Sequence, residues 1–331
     1  MNRRRLLLLL VIVMLLVGAC ALLQMPGRSF DGPLPAATTA DDALAKALID
    51  DVTMLAETIG ERNYHKRAGL DRASAFVRGR FTGMGYDVVA RPFTVDWVEL
   101  NGTFDNLEVE VKGSKRPDEI VLIGAHYDTA LGTPGANDNG SGMAVLFALA
   151  ASTKQQQPAR TVRFVAFANE EPPFFDTPHM GSRRYAQGVK ARSENVIAML
   201  SLETMGSYSD VDGSQQYPFP FDLFYPSTGN FIAFVGDLGS TSLAHQAVAS
   251  FRQSVEFPSE GAAVPGMIPG VFWSDHSSFW AIGVPALMVT DTAPFRFKEY
   301  HRHDDTPDKV DGPKLARVTR GLQGVVVDLA D

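Results

Sequence analysis

The chain has 331 residues, with 30 Lys plus Arg against 38 Asp plus Glu, a formal charge of −8 and 45% hydrophobic residues. These proportions exclude a disordered, collagenous or multi-span membrane protein. The acidic balance also excludes nucleic acid as a partner, because affinity for phosphate backbones needs clustered Lys and Arg. The length suffices for one large domain with an ordinary core, and the single cysteine, Cys20, leaves no intramolecular disulfide.

In chain order, Arg3-Arg4-Arg5 precedes an apolar run from Leu6 to Val17 and then Gly18-Ala19-Cys20. A basic start, a short apolar core and small residues before a cut site make a secretory signal over residues 1–20. Its ending resembles the lipobox of bacterial lipoproteins, with Cys20 as the residue that receives lipid. An uncleaved anchor is the alternative, since the apolar run up to Leu23 approaches a spanning length. Either way the remaining chain is expected outside the cytoplasmic membrane, and on the lipobox reading it is lipid-anchored to the bacterial cell envelope through Cys20. Residues 21–40 carry Pro, Gly, Ala and Thr without an apolar period and read as a flexible tether.

One domain is expected over 41–331. Helical spacing of apolar residues predicts helices over Asp41–Gly60 and His65–Met84. Strands are expected at Tyr86–Val95, Asn106–Lys112 and Glu119–Ala125, the last a continuous apolar run of the kind covered on both faces. Then follow a helix at Ser141–Lys154, a strand at Thr161–Ala168, a helix at Gly181–Lys190 and strands at Val196–Leu202 and Asn230–Val235. A helix at Ser242–Gln253, a strand at Pro285–Thr290 and a closing helix at Pro313–Leu329 complete the series. The alternation predicts an α/β three-layer sandwich with a mostly parallel central sheet. Tyr208–Asn230 reads as a long loop, and such loops are often functional.

Metal-type ligands cluster at the predicted strand ends, where open α/β sheets bind ligands. His126-Tyr127-Asp128 follows one strand, and residues two apart in an extended chain share a face, so Asp128 can accept the second N–H of a ligating His126. Asp138 stands in the glycine-flanked turn Gly135–Gly142, which also reads simply as a turn with a helix cap. Asn169-Glu170-Glu171 follows another strand, and adjacent carboxylates there are costly to bury without a cation. Glu203 ends a third. Ser274-Asp275-His276 and Tyr300-His301-Arg302-His303-Asp304-Asp305-Thr306 close the set. Each cluster alone has a bland reading as a polar strand end; five in register with the strands do not.

Together these residues resemble metallopeptidase family 28, the co-catalytic zinc aminopeptidases and carboxypeptidases with their glutaminyl cyclase relatives. The resemblance runs from about Asp41 to the C-terminus and implies the zinc-dependent exopeptidase fold with two Zn2+ ions sharing one Asp. By position, Asp138 is the bridge, His126 and Glu203 complete one zinc, Glu171 and His301 the other, and Glu170 is the general base. Asp128 orients His126, while Tyr300, His276 and Asp275 are candidates for holding substrate or oxyanion. The resemblance also implies a cis peptide bond between Asp138 and Asn139. This agrees with metal-ion chemistry, in which paired zinc ions acidify a shared water beside a carboxylate that is not itself a ligand.

Two departures stand out. Position 203 is Glu where many members carry Asp. The apolar insertion Pro172–Met180 separates Glu171 from Gly181 and is expected, with Tyr208–Asn230, to wall the pocket; its Phe residues covering the core is the alternative. The resemblance thus implies a peptide substrate and an exopeptidase, foremost an aminopeptidase, or else a one-zinc glutaminyl cyclase-like enzyme acting on N-terminal Gln. A non-catalytic binding module on the same fold is a further reading, against which no ligand or base position is missing.

Overall fold

The apolar run Ile120–Ala125 forms the centre of β3 (Arg116–His126), and the strands around it bury it on both sides. In the computed structural model, which describes residues 24–97 and 100–331, β3 lies between β4 (Arg160–Phe167) and β5 (Asn195–Glu203), parallel to both. Beyond β4 come β2 (Gly102–Val111) and β1 (Val89–Val95), each antiparallel to its neighbour. Beyond β5 come β8 (Ala286–Thr290), parallel, then β6 (Ile232–Gly236), antiparallel to β8, and β7 (Ser259–Ala263), parallel to β6. The order is β1-β2-β4-β3-β5-β8-β6-β7 in one sheet. The sheet is therefore mixed: pairing is parallel from β4 through β8 and again between β6 and β7 at one edge, and antiparallel at β1–β2, β2–β4 and β8–β6.

Alternating side chains divide the core. Val121, Ile123, Leu200, Leu202, Leu287 and Phe234 face one layer, and Ile120, Leu122, Val165, Phe167 and Met199 the other. The first layer holds α1 (Thr39–Thr53), α3 (Gly142–Thr153), α5 (Thr241–Ser254) and α7 (Gly312–Ala330), with α2 (Arg67–Gly83) beside them. The second holds α4 (Gly181–Ala191) and the short α6 (His276–Trp280). The amphipathic stripe Leu315, Val318, Leu322, Val325 and Leu329 makes α7 a helix, and Asp311 caps it by accepting from the Lys314 amide at 3.0 Å. At Gly321 a Cβ would overlap the Phe251 ring, so α5 and α7 touch there through glycine.

β7 and α6 have no counterpart among the sequence expectations. Ser-Glu-Gly-Ala-Ala carries no apolar run, and it forms a strand only because β6 offers it an edge. The described part of the segment read as a tether is not free: Met25 is buried, the Arg252 guanidinium donates to the Pro26 carbonyl at 2.9 Å, and the Ser259 amide donates to Ser29 at 2.9 Å. Residues 24–30 thus lie along α5 and β7, and α1 begins at a Thr38–Asp41 capping box. Cys20 and the signal lie outside the described residues. No helix among the described residues is long and apolar enough to cross a membrane.

Candidate metal centre

Three neighbouring strands deliver the first ligand-type side chains at their C-terminal ends: His126 closes β3, Glu170 and Glu171 follow β4, and Glu203 closes β5. Asn169 and Thr204, at φ 56° and 42°, turn the chain sharply at two of these ends, and His301 itself has φ 58°. Such left-handed conformations are unfavourable for non-glycine residues and persist where the surroundings enforce them. Asp138 enters from the turn before α3, and the Asp138–Asn139 peptide bond is cis. Gly135, at φ 64°, lets that turn close, because a Cβ there would overlap the Asp138 carbonyl oxygen.

These groups converge. One oxygen of Asp138 lies 3.3 Å from His126 Nε2 and the other 3.1 Å from His301 Nε2. His126 Nε2 is also 3.3 Å from Glu203 Oε2, and His301 Nε2 is 3.2 Å from Glu171 Oε2. Zinc bonds of about 2.0–2.1 Å in tetrahedral geometry separate donor atoms by roughly 3.3 Å. The four spacings are of that size, and His126, Asp138 and Glu171 offer ligand atoms that all lie within 4.8 Å of one another. His126 Nε2, His301 Nε2, Asp138 Oδ1 and Glu171 Oε1 are buried and make no hydrogen bond, as donors reserved for a cation would be. The donor set of imidazole and carboxylate fits zinc. Glu170 stands apart, its Oε2 3.9 Å from His126 Nε2.

Surrounding groups fix this geometry. Asp128 accepts the backbone amides of both Glu170 and Glu171 at 3.1 Å, and it lies 3.5 Å from His126 Nδ1. It positions the paired glutamates as well as the imidazole, which is more than the sequence suggests. Asp305 accepts the amides of Asn137 and Asp138 at 2.8 and 3.0 Å. Asn139 binds the Leu202 carbonyl and the Gly142 and Thr204 amides, tying the Asp138 turn to the end of β5. Ser274 donates to Glu203 Oε2 at 2.7 Å.

Two residues were missed at the sequence level. Arg62, fully buried, donates to the carbonyls of Leu55, Gly60, Tyr127, Pro134 and Gly135. No motif marks it; only the folded chain brings those carbonyls together. Asp291, which accepts from Asn137 and the Ser207 amide, follows the end of β8 and was legible by the same rule that found the others.

The electrostatics show a surplus of acid. Burial pushes Glu170 well above the usual range, helped by Glu171 and Glu203. Burial and the Asp138 charge lift Glu171 to about 7; burial first, with the Asp138 charge for Asp305 and the Glu203 and Asp128 charges for Asp275, lifts those two to about 7. Burial opposes charge on His301, but Asp138 and Glu171 raise it to about 11; His126 is raised likewise by Glu203 and Glu170. Burial would raise Asp138, yet the two imidazoles hold it below the ordinary carboxylate range. Arg62 is lowered by burial to about 10 and stays charged at neutral pH. One arginine and two imidazoles face seven buried carboxyl groups (128, 138, 170, 171, 203, 275, 305), an imbalance that divalent cations relieve.

The remaining candidates divide. Tyr300 stacks on His301 with ring centroids 3.9 Å apart and lines a cavity that opens beside Glu203. His276 does not reach it: the ring is fully buried, Nε2 is 2.7 Å from the Val271 carbonyl, Trp280 packs perpendicular to it, and burial lowers it to about 4. Its expected role in holding substrate is corrected to a structural one. Asp275 is also fully buried and does not line that cavity; its charge acts on Glu170, and His126 acts on it. The insertion Pro172–Met180 does not wall the cavity either. Phe174 is buried against Tyr64, Trp97 and Phe104, so its phenyl ring covers the core. The other expected wall is present, with Gln215, Tyr217, Phe221 and Tyr225 of the long loop lining the cavity.

The chain is 34% identical over 294 residues to "Uncharacterized protein YfbL" of Escherichia coli (strain K12), covering 86% of this chain and 88% of that protein. It spans less than half the length of several fungal proteins described as "Probable zinc metalloprotease", one from Leptosphaeria maculans being 27% identical over 204 residues. The fold matches BSAP, a zinc aminopeptidase from Bacillus subtilis, with TM-score 0.69 at 14% identity over 87% of this chain and 95% of that one. It also matches Fimbriiglobus ruber glutaminyl cyclase, with TM-score 0.65 at 20% identity over 93% of this chain and 100% of that one. The model of peptidase family M28 matches residues 106–326, which contain every ligand-type residue described above, and the chain belongs to that family of zinc peptidases.

Proposed function

We propose that this protein is a zinc aminopeptidase with two metal ions sharing Asp138, His126 and Glu203 completing one site and Glu171 and His301 the other. The observation that supports it is the placement of two imidazoles, each within 3.3 Å of a different oxygen of one carboxylate. Zinc, when bound, supplies a Lewis acid for the scissile carbonyl and lowers the pKa of water. Glu170, held by its backbone amide on Asp128 and set back from the donor cluster, takes a proton from the attacking water and passes it to the leaving nitrogen. Hydroxyl is thereby added to the acyl carbon as the C–N bond breaks. The carboxylates around the centre suit the free α-ammonium of a peptide. Arg62, whose donors are spent on backbone carbonyls, is not available for a C-terminal carboxylate.

One observation favours a second reading, a single-zinc cyclase of N-terminal Gln. The Glu203 oxygen nearest His126 is the one that accepts from Ser274, which competes with a metal there. Metal analysis of the purified chain, together with aminoacyl amides and a Gln-initiated peptide, separates the two. Two zinc per chain and release of the N-terminal residue support the peptidase. One zinc, with ammonia released and the free amine lost, supports the cyclase. For location we propose lipid anchoring through Cys20 outside the cytoplasmic membrane. The support is the sequence of residues 1–20, and Cys20→Ala moving the protein out of the membrane fraction tests it.

A further inference from the structure

The second layer is incomplete. Its helices, α4 and α6, cover β3, β4 and β5 on the face that carries His126 and Glu203, while β6 and β7 on that face lie under loops alone. The sheet register places one row of residues across this face. Glu203 pairs with Thr290, Thr290 with Ala233, and Ala233 with Glu260. Paired residues project to the same side, so Glu203 and Glu260 mark the two ends of one row. Three inter-strand steps of about 4.8 Å separate their backbones by about 14 Å.

Between those ends the floor is low and, apart from Thr290, whose hydroxyl is engaged by Thr204 and the Thr292 amide, apolar. Ala233, Val235, Ala262 and Met288 form it, and the small side chains at 233 and 262 leave the depth of the cavity. The roof is aromatic: Tyr217, Phe221 and Tyr225 from the long loop, with Trp273 and Phe295 opposite. The two tyrosine hydroxyls are already committed, to the Pro226 and Gly261 carbonyls. A shaft of this kind accepts an aliphatic stem and gives it no polar partner along the way.

Its far end is charged. Glu260 lines the cavity, and burial raises its carboxyl above the usual range. The Ser29 hydroxyl favours its charge from one side, and Arg252 acts on it from further away, its own donors being spent on the hydroxyl and carbonyl of Ser259 and on the Pro26 carbonyl. Among the described residues Glu260 forms no ion pair. A carboxylate at the end of an apolar shaft is costly unless a cation meets it.

We infer that Glu260 is a specificity-determining residue: the shaft takes the side chain of the substrate's first residue, and its terminal carboxylate selects a long basic one, lysine or arginine. This rests on the aminopeptidase reading for the orientation of the substrate. Lysine suits the dimensions, a flexible four-carbon stem carrying a compact ammonium. It differs from norleucine by that ammonium alone, which makes the pair the decisive probe.

The experiment measures kcat/KM of the full chain, with its metal, for lysyl, arginyl, norleucyl and alanyl amides. Lysyl and arginyl amides are expected to exceed norleucyl amide by at least tenfold, and Glu260→Gln is expected to collapse that ratio to within about threefold, an ion pair of this kind being worth at least 1.4 kcal/mol per tenfold. Ala233→Leu, which fills the shaft midway, is expected to remove the advantage of every long side chain over alanine. Equal turnover of lysyl and norleucyl amides by the wild type, or an unchanged ratio in Glu260→Gln, overturns the proposal. Calorimetric binding of lysinamide and norleucinamide to wild type and Glu260→Gln needs no turnover. It tests the shaft even where no amide is cleaved, an outcome that would count against the peptidase reading and not against Glu260. Equal affinity of the wild type for both amides in that assay also overturns the proposal.

Discussion

Replacing Arg62 by methionine asks how far the centre depends on a residue that touches neither metal nor substrate. The guanidinium is buried and satisfies five carbonyl oxygens at 2.5–3.3 Å, three of them in the segment between His126 and Asp138. A hydrogen bond with a charged partner contributes about 1.5–3 kcal/mol. Five would sum beyond the whole stability of many domains, so the bonds cannot be additive, and water entering the vacated space recovers part of the loss. Removing one partner of a buried charged network costs about 3–5 kcal/mol, the value expected here. Arg62 is also the cation that faces Asp305, Asp128, Asp138 and Glu171, and its loss leaves those carboxyls harder to ionise. At about 2–4 °C per kcal/mol for domains of 150–250 residues, the melting temperature should fall by roughly 6–20 °C. Metal affinity should fall too, because the Gly135–Asp138 turn loses the group that holds it. Urea and thermal unfolding of metal-free protein isolate the stability term, and zinc titration reads the second. Arg62→Lys, which keeps the charge without the planar fork, should lie between. A methionine variant within about 1 kcal/mol of wild type would refute the view that Arg62 organises the loop.

Glu170→Gln should lower kcat by about 10²–10⁴ while zinc content stays unchanged, and a loss under tenfold would remove Glu170 as the base. Phe174→Ala should cost about 3–5 kcal/mol of stability with little change in kcat/KM for small amides, since the ring fills core and not cavity. A lower turnover at unchanged melting temperature would restore the insertion as a pocket wall. The lysyl-to-norleucyl ratio should depend on pH. Glu260 selects the ammonium only when ionised, and burial raises its pKa, so the ratio is full at high pH and falls as pH drops through that value. Arg252, Tyr217 and Tyr225 are the other titratable groups acting on or near it, and none loses or gains charge in acid. A ratio that stays flat between about pH 8 and about pH 4 would contradict a selecting carboxylate.

The centre was legible because strand ends are. A buried apolar run followed at once by His126, Glu170 or Glu203 has to place that side chain at the rim of the sheet, since the run fixes the strand and the strand fixes where it stops. Position 291 obeys the same rule and was overlooked because Pro285–Thr290 ends in threonine and a single aspartate. His276 and Asp275 were misplaced for the opposite reason. Their polarity suggested a surface facing substrate, but Val271 and Trp280 close over the imidazole, and the Asp275 carboxyl is fully buried. The phenyl ring of Phe174 shows the limit for loops: hydrophobicity predicts burial and says nothing about which cavity is filled.

From residues alone came the order of the strands and helices other than β7 and α6, the ligand types and their places along the chain, because periodicity and burial are properties of neighbours in sequence. Tertiary structure decided what lies across the sheet. The pairing of β8 with β6 and β6 with β7 sets Glu260 in the row of Glu203, and the fold brings three carbonyls from 65 to 73 residues away, Tyr127, Pro134 and Gly135, to Arg62. Contacts of that separation depend on strand pairing and loop closure, which one residue's neighbours do not encode.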